Sequence, residues 1–257
     1  MNATSKNKIP LAEQMRPKNL DDVLGQSQLT SLPLSQLEKS SFIFWGPPGS
    51  GKTTVARILG TQSNQEFVRL SAILDGVSEI RKIYERVHLE IKDNAPILVF
   101  IDEIHRFNKA QQDALLPVIE DGSVRLIGAT TENPSFALNS ALLSRTQVVI
   151  LTALDAPALN SIYQRAMAFL GEPTLLDEPT QSFLIELSDG DARYLLNMVQ
   201  LLVAHKKEQN WTRDKVAEFL SKRSLQHDKQ GDRHFDLISA LHKSLRASDC
   251  DASLYWL

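Results

Sequence analysis

The sequence predicts an α/β fold in its first part and a wholly helical fold after it. Short apolar runs alternate with helix-like patterns from residue 42 to about residue 151. Residues 97–101, ILVFI, are apolar without alternation, as expected for a parallel strand that is covered on both faces. After residue 152 only helical patterns remain. This order favours a parallel sheet between helices, the doubly wound arrangement, followed by a separate helical domain.

The first part contains five strand candidates and several helix patterns. The strand candidates are, in chain order, SFIFW, EFVRLS, ILVFID, VRLIGAT and QVVIL. Apolar residues recur at helical spacing over residues 77–93. Another helix is predicted over residues 108–120, where Asn108 and Gln111 have the spacing of a capping box. We expect this part to form one domain over residues 1–152.

The second part begins with a helix that Asp155 can cap at its start and Gly171 can end. Three more helices are predicted at about residues 180–188, 191–206 and 212–222. These four helices define a small helical domain over residues 153–223. A polar linker follows, and residues 232–257 then start another amphipathic helix. One helix cannot bury its own apolar face, so this segment is expected to open a further domain or to dock on another chain.

Composition excludes several classes of protein. Of the 257 residues, 42% are apolar and 23% are charged, which is ordinary for a soluble globular protein. The net charge of −3 argues against a wholly basic nucleic-acid binder, so any DNA contact must come from a local patch. The one cysteine, Cys250, excludes an internal disulfide and suits a reducing cytosol. The N-terminus lacks the apolar region of a signal peptide, and the longest apolar run is far too short to span a bilayer.

The stretch GPPGSGKTT fits the pattern G-x-x-x-x-G-K-[ST] between a strand and a helix, which is the context of a P-loop. Glycines let the backbone N–H groups turn toward an anion. Lys52 is then expected to reach the β- and γ-phosphates of ATP, and Thr53 to hold Mg²⁺. The plainer alternative is a strand–turn–helix junction that merely needs glycine. The predicted nucleotide contacts in this stretch are Gly46, Pro47, Pro48, Gly49, Ser50, Gly51, Lys52, Thr53 and Thr54.

Two adjacent carboxylates, Asp102 and Glu103, end the buried strand ILVFID. Ligands of open α/β sheets bind at this end of the strands, and neighbouring carboxylates repel unless a cation or water separates them. Asp102 is expected to bind Mg²⁺ through water, and Glu103 to orient and deprotonate the attacking water. The alternative is an acidic pair that complements a helix dipole.

The strand VRLIGAT leads into TEN and delivers polar side chains to the same sheet edge. Among Thr130, Thr131 and Asn133, we expect Thr131 to hold the attacking water or the γ-phosphate. A simple strand end followed by a turn is the alternative.

Two arginines complete the candidate site. Arg145 lies between a short helix and the next strand, and it could act on a neighbouring subunit's γ-phosphate only if subunits form a ring. A surface arginine at a helix C-terminus is the alternative. Arg193 opens a helix of the second domain, where a cation is unfavourable unless an anion approaches it. We therefore predict that Arg193 reaches the nucleotide from a lid.

These motifs, in this order, resemble the clamp-loader clade of the AAA+ ATPases. The longer phrases LAEQMRPKNLDDVLGQ, DEIHRFNKAQQDALLPVIEDG, IGATTENPSFALNSALLSR and FDLISALHKSLRASDCDASLYWL are similar to the replication-associated recombination protein A family, bacterial relatives of the Werner-helicase-interacting ATPase. The resemblance covers essentially the whole chain. It assigns Walker A to residues 46–53, Walker B to Asp102 and Glu103, sensor 1 to the region of Thr131, the trans arginine finger to Arg145 and sensor 2 to Arg193.

The resemblance also implies a function and partners. It implies a cytoplasmic, nucleoid-associated, DNA-dependent ATPase that remodels DNA at stalled replication forks, at ends and at single-/double-strand junctions, and in recombination. It implies contact with single-strand-binding protein and a homotetramer built through a C-terminal helical domain. Residues 1–152 would be the nucleotide-binding domain, residues 153–223 the lid, and residues 232–257 the start of the oligomerisation domain, which continues past Leu257 in the family. The stretch MRPKNLDDVLGQ would line the adenine pocket.

One departure and three other interpretations stay open. Residues 26–41 are shorter than the family pattern, which leaves the adenine contacts undetermined. The chain could be a nucleotide-gated module that binds DNA or partners with little turnover. It could be another member of the clade, a clamp-loader subunit or a branch-migration motor. A small-molecule P-loop kinase would explain Lys52 but not Glu103, Arg145 or the helical second domain.

Overall fold

A parallel five-stranded sheet forms the centre of the α/β part. The computed structural model describes residues 9–30, 40–62, 65–72, 75–90, 96–206 and 211–227. Within them the strand order is β2-β3-β4-β1-β5, and every neighbouring pair is parallel. The five predicted strands are all present, as β1 (Phe42–Trp45), β2 (Phe67–Ser71), β3 (Ile97–Asp102), β4 (Val124–Thr130) and β5 (Gln147–Ile150).

Helices connect and cover these strands. In chain order they are α1 (Leu11–Gln14), α2 (Ser27–Thr30), α3 (Lys52–Gln62), α4 (Val77–Glu90), α5 (Lys109–Glu120), α6 (Pro134–Ala137), α7 (Ser140–Leu143), α8 (Ala156–Leu170), α9 (Glu178–Ser188), α10 (Ala192–Ala204) and α11 (Arg213–His227). Short 3-10 turns lie at Leu20–Asp22 and Ile104–Arg106. The end of the helix predicted over residues 77–93 lies outside the described residues. No described helix has the length and apolar character needed to cross a bilayer.

Helix ends follow the predicted capping chemistry. At α5, Gln111 N–H donates to Asn108 Oδ1 at 3.0 Å, and Asn108 N–H donates to Gln111 Oε1 at 2.9 Å, so the capping box is complete. The helix continues through Pro117 to its end at Glu120. At α8, Asp155 accepts from the third residue of the helix, and Gly171 closes the helix with a left-handed φ of 72°.

Strand β3 is buried on both faces of the sheet, which accounts for its apolar run without alternation. Val99 and Ile101 belong to a hydrophobic core on one face of the sheet, whereas Leu98 and Phe100 belong to the core on the other face. All four side chains are at most 1% exposed. A strand that is buried on both faces must carry apolar residues at successive positions.

The described residues fall into two compact units. The larger unit comprises those up to Thr174 together with Ser182–Ala204, and it contains the sheet, α8 and α10. The smaller unit comprises Leu175–Gln181 and the described residues from His205 onward, where the rings of Trp211 and Phe219 meet edge to face at 5.0 Å. The predicted domain boundary at residue 152 stays a prediction. The segment predicted at residues 232–257, with Cys250, lies outside the described residues.

Candidate functional site

The P-loop connects β1 to α3 and needs glycine at two positions. Gly49 has φ of 69° and Gly51 has φ of 98°, both in the left-handed region that side chains disfavour. A Cβ atom at Gly49 would also lie 1.9 Å from Asp191 Oδ1, at the start of α10. This part of the loop is therefore shaped both by its own backbone and by close contact with a residue far along the chain.

Lys52, the first residue of α3, is a buried cation directed at this loop. Its side chain donates to the carbonyl oxygens of Gly46 at 2.7 Å and Pro47 at 2.8 Å, and the residue is 7% exposed. Burial lowers the pKa of Lys52, while the nearby carboxylates of Glu103 and Asp102 act in the opposite direction. A buried ammonium group is stabilised by an additional anion, which a phosphate would supply.

Thr53 and Asp102, the two predicted Mg²⁺ ligands, lie side by side. The hydroxyl of Thr53 donates to Asp102 Oδ2 at 3.3 Å, and Arg69 Nη2 approaches the same oxygen at 3.3 Å. Among the described residues there is no cluster of three or more His, Cys, Asp or Glu that could hold a metal. One hydroxyl and one carboxylate fit Mg²⁺, which takes few protein ligands and completes its shell with phosphates and waters.

Glu103 follows β3 in a left-handed backbone conformation, with φ of 55° and ψ of 46°. For a residue other than glycine such a conformation costs about 1–3 kcal/mol and is typical of functional sites. The strand ends abruptly there, and the turn Ile104–Arg106 begins at once. Nothing in the residue type Glu predicts this conformation.

His105, which the sequence interpretation did not select, contacts Glu103. Its Nε2 lies 3.2 Å from Glu103 Oε2 and 3.6 Å from Glu132 Oε1, while its Nδ1 lies 2.9 Å from the hydroxyl oxygen of Thr130. The His105 side chain is only 9% exposed. The available signal was its position, two residues after Glu103 in the turn that follows β3.

An open cleft of about 720 Å³ brings most predicted site residues together, and this size is within the range of small-ligand pockets. The predicted residues that line it are Pro48, Gly49, Ser50, Gly51, Lys52, Thr53, Thr54, Asp102, Glu103, Thr131 and Arg193. Gly46 and Pro47 do not line it, although their carbonyl oxygens accept from Lys52. Thr130, at the end of β4, is fully buried and does not line the cleft.

The stretch predicted to surround the adenine also lines the cleft. Met15, Pro17, Val23 and Leu24 supply apolar surface there. Arg16 donates to the hydroxyl of Thr54 at 2.8 Å and to the carboxylate of Glu13 at 2.6 Å. The hydrogen bond from Arg16 is the main cause that lowers the pKa of Glu13. These contacts hold the N-terminal stretch against the helix that follows the P-loop.

Gln26 ends the stretch predicted to line the adenine pocket, but it does not line the cleft and has a structural role that the sequence did not predict. It is 4% exposed, and its amide nitrogen donates to the carbonyl oxygens of Ser50 at 3.1 Å and Thr152 at 2.8 Å. Its amide oxygen accepts from Thr152 N–H at 3.1 Å. One side chain thus joins the P-loop to the connection between β5 and α8.

The two predicted arginines have different surroundings. Arg193 is exposed in the first turn of α10 and lines the cleft. Arg145, just after α7, is not among the residues that line it. Its guanidinium group donates to Ala141 O at 2.8 Å and Ser144 Oγ at 3.0 Å and forms an ion pair with Glu120, at the end of α5. The Arg145 side chain remains 36% exposed.

Two family models match the sequence. The ATPase family associated with various cellular activities (AAA) matches residues 42–154, and the AAA C-terminal domain matches residues 171–246. The first range begins at β1 and contains the P-loop, Asp102, Glu103, Thr131 and Arg145. The chain has the AAA+ fold.

Solved structures with this AAA+ fold include RuvB of Thermotoga maritima. The RuvB Holliday junction branch migration motor matches with a TM-score of 0.65 and 28% identity, over 80% of this chain and 72% of that one. The structure of a mutant of the same RuvB matches with a TM-score of 0.67 and 26% identity, over 90% of this chain and 81% of that one. The predicted fold class is confirmed.

Curated relatives of the AAA+ chain confirm the predicted resemblance. It is 46% identical over 262 residues to replication-associated recombination protein A of Haemophilus influenzae, and 43% identical over 263 residues to that of Escherichia coli strain K12. In both cases the match covers 96% of this chain but only 59% of the relative. ATPase WRNIP1 of Dictyostelium discoideum is 40% identical over 286 residues, which is 100% of this chain and 33% of that protein. The match to an ATPase family supports the predicted ATP hydrolase.

Proposed function

We propose that this AAA+ chain hydrolyses ATP and couples hydrolysis to remodelling of DNA at stalled replication forks and in recombination. The observation that carries the proposal is one cleft lined by the P-loop, Lys52, Thr53, Asp102, Glu103 and Arg193. A phosphate-binding loop alone would support binding. Glu103 supplies a second carboxylate in this cleft that takes no part in the Thr53–Asp102 hydrogen bond, and this supports hydrolysis.

The residues have separate roles in this proposal. Backbone N–H groups of the P-loop and the ammonium group of Lys52 bind the β- and γ-phosphates, and Lys52 exchanges the carbonyl oxygens of Gly46 and Pro47 for phosphate oxygens. Thr53 and Asp102 hold Mg²⁺, whose charge offsets that of the phosphates. Arg193 adds positive charge from α10.

Hydrolysis needs a base and an oriented water. Glu103 accepts a proton from the attacking water. The oxygen of that water forms a bond to the γ-phosphorus while the bond between the γ-phosphorus and the ADP oxygen breaks. Thr131, directly after β4 and lining the cleft, holds that water or the γ-phosphate in this proposal. The products are ADP and inorganic phosphate.

The position of Arg145 supports a composite site between subunits. It does not line the cleft of its own chain, and its side chain is partly exposed. In a homo-oligomer, proposed as a tetramer for the full-length family, it would contact the nucleotide of the next subunit. An arginine in that role contributes about 10³–10⁵ in rate.

The DNA partners are proposed from the relatives. Both bacterial relatives are named for replication-associated recombination, and RuvB is described as a Holliday junction branch migration motor. We infer that the substrates are forks, ends and single-/double-strand junctions, that single-strand-binding protein is a partner, and that the protein acts at the nucleoid in the cytoplasm.

The first test replaces the base. Glu103→Gln should bind ATP within about twofold of the wild type, while its hydrolysis falls about 10²–10⁴-fold because the base is lost. Glu85→Gln, at an exposed position of α4, is the control and should hydrolyse normally. Forked DNA should stimulate the wild type and the control alike. Hydrolysis that survives in Glu103→Gln would overturn the proposed role of Glu103.

A second candidate is a nucleotide-gated binding module with little turnover. Its support is that the guanidinium group of Arg145 is engaged by Glu120, Ala141 and Ser144 of its own chain, contacts that would have to change before the arginine reached a neighbouring nucleotide. Hydrolysis per subunit, measured at several protein concentrations with and without forked DNA, separates the two. A rise with concentration supports the remodelling ATPase, and negligible hydrolysis throughout supports the binding module.

A further inference from the structure

We propose that His105 is a positioning residue that orients the carboxylate of Glu103 and links it to the end of β4. The inference rests on the proposed function, because it assigns His105 a role through Glu103. The linkage consists of three side chains in sequence, Thr130, His105 and Glu103, of which only Glu103 is proposed to touch reactants.

The surroundings of the imidazole determine where its proton lies. Nε2 faces the carboxylate oxygens of Glu103 at 3.2 Å and Glu132 at 3.6 Å. A nitrogen between two carboxylates is stabilised only as an N–H donor, so Nε2 carries a proton. In the neutral ring Nδ1 is then an acceptor, and the hydroxyl of Thr130, at 2.9 Å, must donate to it.

The hydroxyl of Thr130 is arranged for that donation. Its oxygen accepts from the backbone N–H of Glu132 at 3.0 Å, which leaves its proton for another acceptor. The carbonyl oxygen of Glu132 is the competing acceptor, but it lies 3.3 Å away, farther than His105 Nδ1. With that tautomer, hydrogen bonds run from Glu132 N–H to Thr130 and from Thr130 to His105 Nδ1, and His105 Nε2 then lies 3.2 Å from Glu103 Oε2.

Burial makes this arrangement specific. Thr130 is 0% exposed and the His105 side chain is 9% exposed, so water competes poorly for their hydrogen bonds. Nε2 of His105 lies 3.2 Å from Glu103 Oε2, which makes the imidazole a close polar neighbour of that carboxylate. Without that neighbour, the flexible glutamate side chain would sample several rotamers, and fewer of them would face the water.

The same linkage connects two parts of the cleft. Thr131, which lines the cleft, is covalently joined to Thr130. A displacement of Thr131 on contact with a phosphate would move the Thr130 hydroxyl and, through His105, the carboxylate of Glu103. Nucleotide contact at the end of β4 would thereby set the orientation of the base.

The test uses substitutions that change the hydroxyl and keep the shape. Thr130→Val should lower kcat by about tenfold, a part of the 10²–10⁴ that a positioned base supplies, and leave the Kd for a non-hydrolysable ATP analogue within about twofold. Thr130→Ser, which keeps the donor, should hydrolyse close to the wild-type rate. His105→Ala should resemble Thr130→Val, and the double variant should lose no more than His105→Ala alone, because both act through one linkage.

Several results would overturn the inference. Equal rates for Thr130→Val and Thr130→Ser would do so, as would losses that multiply in the double variant or losses that appear in Kd instead of kcat. Should His105→Ala fail to fold in a thermal melt, the Val and Ser variants carry the test. If Glu103→Gln abolishes hydrolysis while Thr130→Val does not impair it, the inference fails and the proposed function stands. If Glu103→Gln hydrolyses normally, the proposed function itself fails.

Discussion

The ammonium group of Lys52 is buried at a free-energy cost that depends on pH. Burial is the main cause that lowers the pKa of Lys52 in the folded protein. Just below the ordinary lysine pKa of about 10.4, the unfolded chain therefore binds more protons than the folded one. The contribution of Lys52 to the free energy of unfolding therefore rises with pH in that window.

Lys52→Met should reveal this dependence. The free energy of unfolding of the wild type, minus that of Lys52→Met, should increase as pH rises toward about 10.4, because the wild type alone loses a buried charge. Denaturant unfolding from pH 8 upward measures the difference. The exposed residue Lys109, replaced by Met, is the control for a lysine-to-methionine substitution as such. A flat or falling difference for Lys52 would contradict the prediction.

The hydroxyl of Tyr163, in α8, is a second polar group that is buried at a free-energy cost. Its side chain is 1% exposed, and no described residue forms a hydrogen bond with its hydroxyl. Burial raises the pKa of Tyr163 to about 12, so its contribution to stability is complete below the ordinary value of about 10 and is lost as pH rises from there to 12.

Tyr163→Phe should therefore stabilise the protein. Removing a buried hydroxyl without a partner should raise the free energy of unfolding by about 1 kcal/mol at neutral pH, and by more above pH 10. Tyr194→Phe, at a position that is 45% exposed, is the matched control. A loss of stability in Tyr163→Phe at neutral pH would show that the hydroxyl has a favourable partner.

At the scale of elements, Gln26 ties together segments that are far apart in sequence. Its side-chain amide meets the P-loop carbonyl of Ser50 and both backbone groups of Thr152. These three backbone groups would lose their partner if the amide were removed. The carbonyl of Ser50, a residue that is 2% exposed, would then be a buried polar group left unpaired, which costs about 1–3 kcal/mol.

Gln26→Leu should lower the free energy of unfolding by about 2–4 kcal/mol and weaken ATP binding, since Ser50 belongs to the phosphate-binding loop. Gln62→Leu, at an exposed position at the end of α3, is the control and should change stability by less than about 0.5 kcal/mol. Unfolding in urea and calorimetric titration with ATP measure the two effects. Unchanged ATP affinity in a folded Gln26→Leu variant would argue against this support of the loop.

The same scale shows what the sequence could and could not predict. Strands and helix caps were predictable because apolar period and cap chemistry are local, as at Asn108 and Asp155. The partners of Gln26 and His105 were not, because they depend on strand order. The sheet places β4 beside β3, and this brings Thr130 next to His105 although 25 positions separate them. The left-handed backbone of Glu103 likewise depends on surrounding structure.

At the scale of the whole molecule, the proposed active site belongs to two chains. Arg145 is held at one end of α7 by Glu120, while α5 also holds the other end, where Asn139 donates to Asp113 at 2.8 Å. The short helix that precedes Arg145 is thus fixed at both ends on α5, the helix that follows the Glu103 segment.

A mixing experiment tests the composite site. Glu103→Gln and Arg145→Ala should each hydrolyse ATP poorly alone, since one lacks the base and the other the arginine. An equal mixture should regain about a quarter of the wild-type rate, because random assembly pairs an intact base with an intact arginine in about one interface of four. Arg106→Ala, also exposed, is the control arginine. No recovery on mixing, or a wild-type rate for Arg145→Ala alone, would contradict the composite site.

The contact of Gly49 with Asp191 carries a further consequence. Asp191 also caps α10 by accepting from the backbone N–H of Tyr194 at 2.9 Å. The carboxylate of Asp191 thus lies close against Gly49 of the phosphate loop and also caps the helix that carries Arg193. A change of length or charge at Asp191 is therefore expected to affect both the loop and the start of that helix.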